Sequence, residues 1–314
     1  MALGIVRSLF SLISSGTELK VFKGAFEHAT LDVNIEAMKH TTMKYPLKYG
    51  YSLVGIVTRC ASDVIDAPSL VGKQVFTFSP HSSLIQVHRN NVQVLPYGIR
   101  AEDAIFLPSI ETALSIVHDA KLNEGESVAV MGQGLIGLLV NAILSLQRHV
   151  KVGSLATDIF NSVTVFETSP DRLLMASAMG ADQCLSPSEI AGAGLFDVCI
   201  EVSGNPIALQ SAIDRTKPGG RIIIASWYGT ETVGLKLGMD FHRSHKTLIS
   251  SQVSEIPAHM LALWSKERRF KLSWDLLRRL QPSRLLTKRM DLDHAQEAYE
   301  LLDKGQEIVI AFKY

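Results

Sequence analysis

Cysteine is scarce: Cys60, Cys184 and Cys199 are the only three in 314 residues, and they show neither pairing nor metal spacing. So odd and sparse a set excludes a disulfide framework and a four-cysteine zinc lobe. It suits a reducing compartment, the cytoplasm or, if the N-terminus is incomplete, an organelle. An excess of one charge is also missing, with Lys+Arg and Asp+Glu at 31 each. No basic footprint therefore argues for nucleic acid or an anionic membrane as partner. Long apolar runs are absent too. The longest, residues 135–146, is interrupted by Asn141 and Ser145 and is too short to span a bilayer. There is no internal repeat, low-complexity segment or recognisable signal peptide. What is left is a charge-balanced chain, long enough for about two domains with a sizeable core.

The strongest local signal lies at residues 126–140. A short apolar run ends in Gly132-Gln133-Gly134-Leu135-Ile136-Gly137, and an apolar helical pattern follows through Leu146. Strand, tight turn and helix in that order make up the dinucleotide-binding arrangement. Gly132 permits the turn, Gly134 lets backbone approach a pyrophosphate, and Gly137 lets helix and strand pack closely. The helix N-terminus adds N–H donors and partial positive charge. A plain turn before a buried helix would look the same, so a second half of the site is needed. Residues 162–166 form an apolar strand pattern ending in Glu167, and Pro170-Asp171-Arg172 opens another helix. A carboxylate there accepts from both hydroxyls of an adenosine ribose and repels a 2′-phosphate, which favours NAD(H) over NADP(H). The alternative is a solvated strand-end glutamate, and Arg172 is near enough to soften the preference. Glu167 follows Gly137 by 30 residues, against about 20 expected. The surplus, residues 147–161, is polar and reads as a surface loop.

Around this turn the chain divides. Residues 3–13 are strand-like, 14–17 break the run, and 45–57, 71–78, 84–87 and 92–95 predict further strands with little helix. From Ala101 the apolar period becomes helical. After the glycine turn, 196–202 predicts a strand ending in Ser203-Gly204. Residues 218–225 read as a turn and buried strand, and 247–251 as the last strand. Such alternation implies a parallel sheet covered on both faces. Residues 260–280 predict a helix whose Arg268, Arg269, Arg278 and Arg279 read as a solvated face or ion pairs. Residues 293–303 predict a helix and 307–312 a closing strand. The expected class is α/β, with domains at 1–112 plus 256–314 and at 113–255.

In this order the pieces resemble a medium-chain dehydrogenase/reductase, the superfamily of zinc alcohol dehydrogenases and quinone reductases. Ser15-Gly16-Thr17-Glu18 resembles the family's Cys-Gly-Thr-Asp loop, and residues 46–55 its Gly-His-Glu segment. Val202-Ser203-Gly204 and Pro218-Gly219-Gly220-Arg221 follow at family spacing. Residues 45–51, Phe76-Thr77-Phe78-Ser79-Pro80-His81 and Asp240-Phe241-His242-Arg243 are similar to the branch of bacteriochlorophyllide hydroxyethyl dehydrogenases. The resemblance implies a Rossmann doubly wound parallel sheet plus a GroES-like β-domain, with cofactor and substrate in the cleft between them. It places Ser226 and Trp227 on the nicotinamide side, makes Ser203 and Gly204 cofactor-binding residues, and implies a homodimer joined at the edge strand 247–251. The family has a β-hairpin before the strand at 3–13, so either the sequence begins late or the β-domain is shortened.

Three departures bear on mechanism. Ser15 stands where the family has cysteine, Tyr51 and Ser52 replace its His-Glu pair, and Pro108 stands where a carboxylate or cysteine would close the metal site. None of Ser15, Tyr51 and Pro108 is a usual zinc ligand, so no zinc is expected. The candidates for handling a proton are then Thr17, Tyr51 and His81. The Thr17 hydroxyl is a relay donor or a turn-stabilising hydrogen-bonder. Tyr51 is a phenol donor or a packing residue, and His81 is an acid–base group in a pocket-wall loop. Glu111 and Lys48 are weaker candidates. The expectation is a zinc-independent oxidoreductase moving hydride between NAD(H), or NADP(H), and a small carbonyl or alcohol substrate. The alternative is a dinucleotide-binding redox sensor or structural subunit without catalysis. A glycine turn for S-adenosylmethionine is the third reading, and the flanking β elements argue against it.

Overall fold

The computed structural model describes residues 4–26, 43–60, 67–152 and 155–314. The chain divides into two compact units, Met1–Pro108 with Lys271–Tyr314, and Ser109–Phe270. The first contains β1 (Gly4–Leu12), α1 (Ser15–Phe22), β2 (Leu53–Cys60), α2 (Ala67–Leu70), β3 (Gln74–Thr77), β4 (Leu84–Val87), β5 (Gln93–Val94) and α3 (Ala101–Ala104). Helix α4 (Leu107–Ala120) leads into the second unit. There follow β6 (Ser127–Met131), α5 (Leu135–Arg148), β7 (His149–Val152), β8 (Leu155–Asp158), β9 (Ser162–Phe166), α6 (Pro170–Ala178) and β10 (Gln183–Leu185). Next come β11 (Phe196–Glu201), α7 (Pro206–Arg215), β12 (Thr216–Ile224), α8 (Asp240–Arg243) and β13 (Thr247–Ser250). Helix α9 (Lys266–Leu280) returns to the first unit, which ends with β14 (Lys288–Asp291), α10 (Ala295–Asp303) and β15 (Ile310–Lys313).

In the first unit the sheet order is β14-β15-β1-β2-β3-β5, with β4 also paired to β1. Strand β1 is the hub, antiparallel to β2, β4 and β15. Val6, Leu53, Val57, Val75, Ile85 and Val87 form one core cluster there. The returning C-terminal elements build a second from Ile13, Met290, Ala298, Leu302, Ile310 and Phe312. Removing such side chains from water is worth about 1.5–3 kcal/mol for each large one. Leu3, where the sequence starts the first strand, lies outside the described residues. The break at 14–17 is not a loop but the entry to α1, and Glu18 explains why. Its Oε1 accepts the Ser14 N–H at 2.8 Å, satisfying a donor at the helix start that has no intrahelical partner.

In the six-stranded sheet of the second unit all pairings are parallel, in the order β10-β9-β6-β11-β12-β13. Strands β6 and β9 are buried from their second residue onward, so their side chains read as apolar runs rather than alternations. The chain builds outward from β6 to β10, then crosses back and builds from β11 to β13. The order therefore reverses between β6 and β11, the switch point of a doubly wound sheet. Residues 147–161 differ from the surface loop the sequence predicts. Helix α5 runs on to Arg148, and β7 and β8 form an antiparallel hairpin. The last long helix starts later than expected, at Lys266, after a 3-10 turn at Ala258–Met260.

Of the four arginines on α9, Arg269 is no surface charge. Its Nε donates to Glu111 at 3.0 Å and its Nη1 to the Glu255 carbonyl at 3.1 Å. The Val253 carbonyl and the Ser115 hydroxyl accept from the same guanidinium. It thus ties α4, α9 and the chain after β13 together from a buried position. Burial pushes the Glu111 carboxyl above its ordinary range, and the Arg269 charge only partly offsets this. Removing one partner of a buried pair typically costs about 3–5 kcal/mol. Arg269→Ala is therefore expected to lower the urea-unfolding free energy of the second unit by that order. A loss below about 1 kcal/mol, the scale of an exposed pair, would mean the pair is not buried in solution.

Candidate functional site

The glycine turn sits at the switch point, between β6 and the first turn of α5. Gly132 has φ +97°, and a Cβ there would come within 2.7 Å of the Ser203 Cα. At Gly137 a Cβ would lie 2.1 Å from the Gly132 carbonyl oxygen. Both positions are closed to any side chain. A Cβ on Gly134, by contrast, would meet nothing within 4 Å. Open space therefore faces the one glycine through which backbone can approach a phosphate. The N–H groups of the first turn of α5, around Leu135, Ile136 and Gly137, have no intrahelical acceptor and carry the positive end of the helix dipole. Gln133 is fully buried; its amide nitrogen donates to the Gly132 carbonyl at 2.9 Å.

Glu167 follows β9 and turns inward. Its Oε2 accepts the Gln133 N–H at 2.7 Å, linking it directly to the glycine turn. Its Oε1 takes the N–H of Thr168 at 2.7 Å, the Thr168 hydroxyl at 2.9 Å and the N–H of Ser169 at 3.1 Å. Arg172 places Nη1 3.9 Å from Oε2. Burial pushes this carboxyl up, but the surrounding donors and the Arg172 charge outweigh it and hold Glu167 below the ordinary range. Oε1 thus accepts three hydrogen bonds and Oε2 one.

On the other side of the switch point, Ser203 and Gly204 follow β11. The Gly204 N–H lies 2.8 Å from the Ser226 hydroxyl oxygen, which accepts it, and Trp227 beside Ser226 is exposed. The turn is held from below by Glu201, which the sequence reading passed over as part of an apolar strand. Its Oε1 accepts the N–H groups of Ser203 and Gly204 and the Ser203 hydroxyl, at 2.7, 2.9 and 2.7 Å. Tyr228 donates its phenol to Oε2 at 2.9 Å. The available signal was a lone acidic residue inside Val198-Cys199-Ile200-Glu201-Val202.

The three residues expected to handle a proton all lie in the first unit. Thr17 is in the first turn of α1, its N–H bonded to the Ser14 carbonyl at 3.1 Å. Tyr51 packs edge-on to Tyr49 at 6.2 Å, against a cluster that includes Val21, Met43 and Leu47. His81 is nearly enclosed. Its Nε2 lies 2.9 Å from Glu18 Oε2 and its Nδ1 2.7 Å from the Ser11 hydroxyl, and Phe312 packs edge-on at 5.0 Å. Tyr299 donates to the same Glu18 oxygen at 2.5 Å, and Ser11 is also bonded to the Tyr314 hydroxyl at 2.8 Å. Serine, imidazole and carboxylate in sequence are the parts of a nucleophilic triad. Ser11 is wholly buried, however, so no substrate reaches it. The chain of groups braces β1, α1, α10 and β15.

At the three positions where the resembled family carries its zinc ligands, the hydroxyl of Ser15, the phenol of Tyr51 and the apolar ring of Pro108 offer none of the thiolate, imidazole or carboxylate donors that zinc takes.

The zinc-binding dehydrogenase family model matches residues 153–266. D-guloside 3-dehydrogenase of Escherichia coli K12 is 27% identical over 295 residues, covering 87% of this chain and 80% of that protein. A short chain alcohol dehydrogenase from E. coli CFT073, in complex with NADH, superposes with TM-score 0.74 at 16% identity, covering 100% of this chain and 92% of that one. A putative zinc-binding dehydrogenase from Sinorhizobium meliloti 1021, bound to NADP, gives TM-score 0.73 at 17% identity, covering 100% and 92%. The fold is a GroES-like β-domain plus a Rossmann domain. The Rossmann domain holds the glycine turn, Glu167, Arg172, Ser203, Gly204, Ser226 and Trp227. The GroES-like domain holds Thr17, Tyr51 and His81.

The GroES-like brace titrates in a defined direction. Burial raises the Glu18 carboxyl, and His81, the Tyr299 phenol and the Ser14 N–H outweigh it, leaving Glu18 below its ordinary value of 4.5. A carboxyl depressed in the folded state contributes stability that is present above the unfolded value and lost as pH falls through the folded one. Unfolding free energy is therefore expected to decline as pH drops below 4.5, and Glu18→Gln should flatten that decline. An identical acid slope in wild type and Glu18→Gln would contradict the buried pair.

Proposed function

We propose that the chain is a zinc-independent oxidoreductase that moves a hydride between a nicotinamide dinucleotide and the carbonyl or alcohol carbon of a small substrate. The observation that carries this reading is the closed pair Gly132–Gly137 around the open Gly134, at the switch point of a parallel sheet. Related proteins support it in kind: the D-guloside 3-dehydrogenase relative is a dehydrogenase, and neighbours of the same fold hold NADH or NADP.

The residues fit a dinucleotide. Gly134 and the first turn of α5 would take the pyrophosphate, Glu167 one ribose hydroxyl through Oε2, and Ser203, Gly204, Ser226 and Trp227 the other half. When bound, the nicotinamide supplies a carbon that accepts or gives hydride. Everything else falls to the protein. Hydride delivery to a carbonyl leaves an alkoxide-like oxygen that needs a proton, and with no zinc donors at Ser15, Tyr51 and Pro108 a side chain must provide it. Tyr51 is assigned as donor and Thr17 as relay. His81, with both ring nitrogens engaged by Glu18 and Ser11, is assigned to hold α1 and its Thr17 in place.

A non-catalytic dinucleotide-binding role is the second reading, favoured by the same three non-ligand positions. Turnover separates the two. Reduced-cofactor titrations followed by fluorescence, with metal analysis of protein purified without chelator, test the leading one. NADH is expected to bind at least about tenfold tighter than NADPH, the size of one charge-assisted hydrogen bond lost to repulsion. Arg172→Ala should widen the gap, and no stoichiometric zinc should be found. Tyr51→Phe should lower kcat about 100-fold or more with NADH affinity unchanged. Equal cofactor affinities, or one zinc per chain, would overturn the corresponding part. Among the described residues strand β13 pairs only with β12, and an edge of this kind invites pairing with a second copy. Light scattering is expected to give a dimer, and a monomer at micromolar concentration would contradict that.

A further inference from the structure

We infer that Glu201 and Tyr228 form a buried anchor that positions the Ser203–Gly204 turn for the nicotinamide half of the cofactor, an inference resting on the dinucleotide reading above. In a doubly wound sheet a dinucleotide lies across the carboxyl ends of the strands, with its two halves on opposite sides of the switch point. Glu167, after β9, serves the adenosine side. Glu201 is the last residue of β11, immediately across that point, and is wholly buried.

Four donors converge on this one carboxylate. Three come from Ser203 and Gly204, and the fourth is the Tyr228 phenol, from the segment four residues beyond β12. Gly132 leans on the same turn, its missing Cβ leaving room for Ser203 Cα. The glycine turn, the Ser203–Gly204 turn and the stretch around Ser226 and Trp227 are thereby fixed to a single group. Burial, then the Glu201 charge, push the Tyr228 phenol far above its ordinary value, so it remains a protonated donor throughout the working pH range. Glu201 and Tyr228 act through the turn and are positioning residues. A carboxylate used only to hold the sheet together would affect both halves of the dinucleotide alike.

That difference supplies the test. Wild type, Glu201→Gln and Tyr228→Phe are titrated with NADH and with ADP-ribose, which lacks the nicotinamide ring, and their melting temperatures are recorded. The expected result is an NADH dissociation constant raised about tenfold in both variants, the scale of one strong hydrogen bond. ADP-ribose affinity should stay within about twofold, well under the effect of one such bond. Tyr228→Phe deletes only a hydroxyl and carries the test alone if Glu201→Gln does not fold. Parallel weakening of both ligands, or unchanged NADH affinity in Tyr228→Phe, would overturn the inference. A wild type that binds neither ligand would instead reject the dinucleotide reading on which it rests.

Discussion

The second unit depends on two side chains that are not there. At Gly137 any Cβ would press into the Gly132 carbonyl, and at Gly132 any Cβ would press into Ser203. Helix α5 can therefore start directly above the end of β6, and the turn after β11 can close against it. A single methyl group at either place would lie closer to backbone than real Cβ contacts come, and the shift needed to relieve it is one a close-packed interior does not absorb. The same closeness leaves the space above Gly134 as the place where a ligand's phosphates can meet backbone N–H groups.

A second constraint is the handling of buried charge. The formal charge is balanced, yet Glu18, Glu111, Glu167 and Glu201 are all withdrawn from water. Each is stabilised by converging donors: a histidine, a tyrosine and an N–H at Glu18, an arginine at Glu111, mainly backbone N–H groups at Glu167, and two backbone N–H groups with two hydroxyls at Glu201. Unpaired, such groups would cost several kcal/mol each, roughly the whole margin of stability of a domain. Two of the four flank the glycine turn on opposite sides of the switch point. Electrostatic satisfaction and site construction there are one arrangement.

How much of this the sequence discloses depends on whether the signal is local. The glycine spacing and the apolar runs of β6, β9, β11 and β12 are local, and they place the parallel sheet, the turn and Glu167 from residue types alone. Helix α1 was hidden because Ser14, Ser15, Gly16 and Thr17 are turn-forming types, while the group that starts the helix, Glu18, acts from four residues on. The hairpin of β7 and β8 was hidden by segments of four residues each, too short to show a period. His81 looked like an open acid–base group because sequence position says nothing of its neighbours. Ser11 and Glu18, which engage its two nitrogens, lie 70 and 63 residues away. Glu201 was visible as an acidic residue in an apolar strand, but its donors come from two segments that only the fold brings together.

In the proposed oxidoreductase, a hydroxyl and a phenol stand at positions where the resembled family carries metal donors. The central claim is that hydride is transferred, and isotope labelling tests that most directly. The protein is incubated with a panel of small ketones and aldehydes and with NADH deuterated at C4 of the nicotinamide, and the products are read by mass spectrometry. The account predicts one deuteron on the carbinol carbon of at least one product, with label intact in protein freed of metal by chelation. Cofactor bound in full occupancy with no label in any product would contradict it and leave a binding protein in its place.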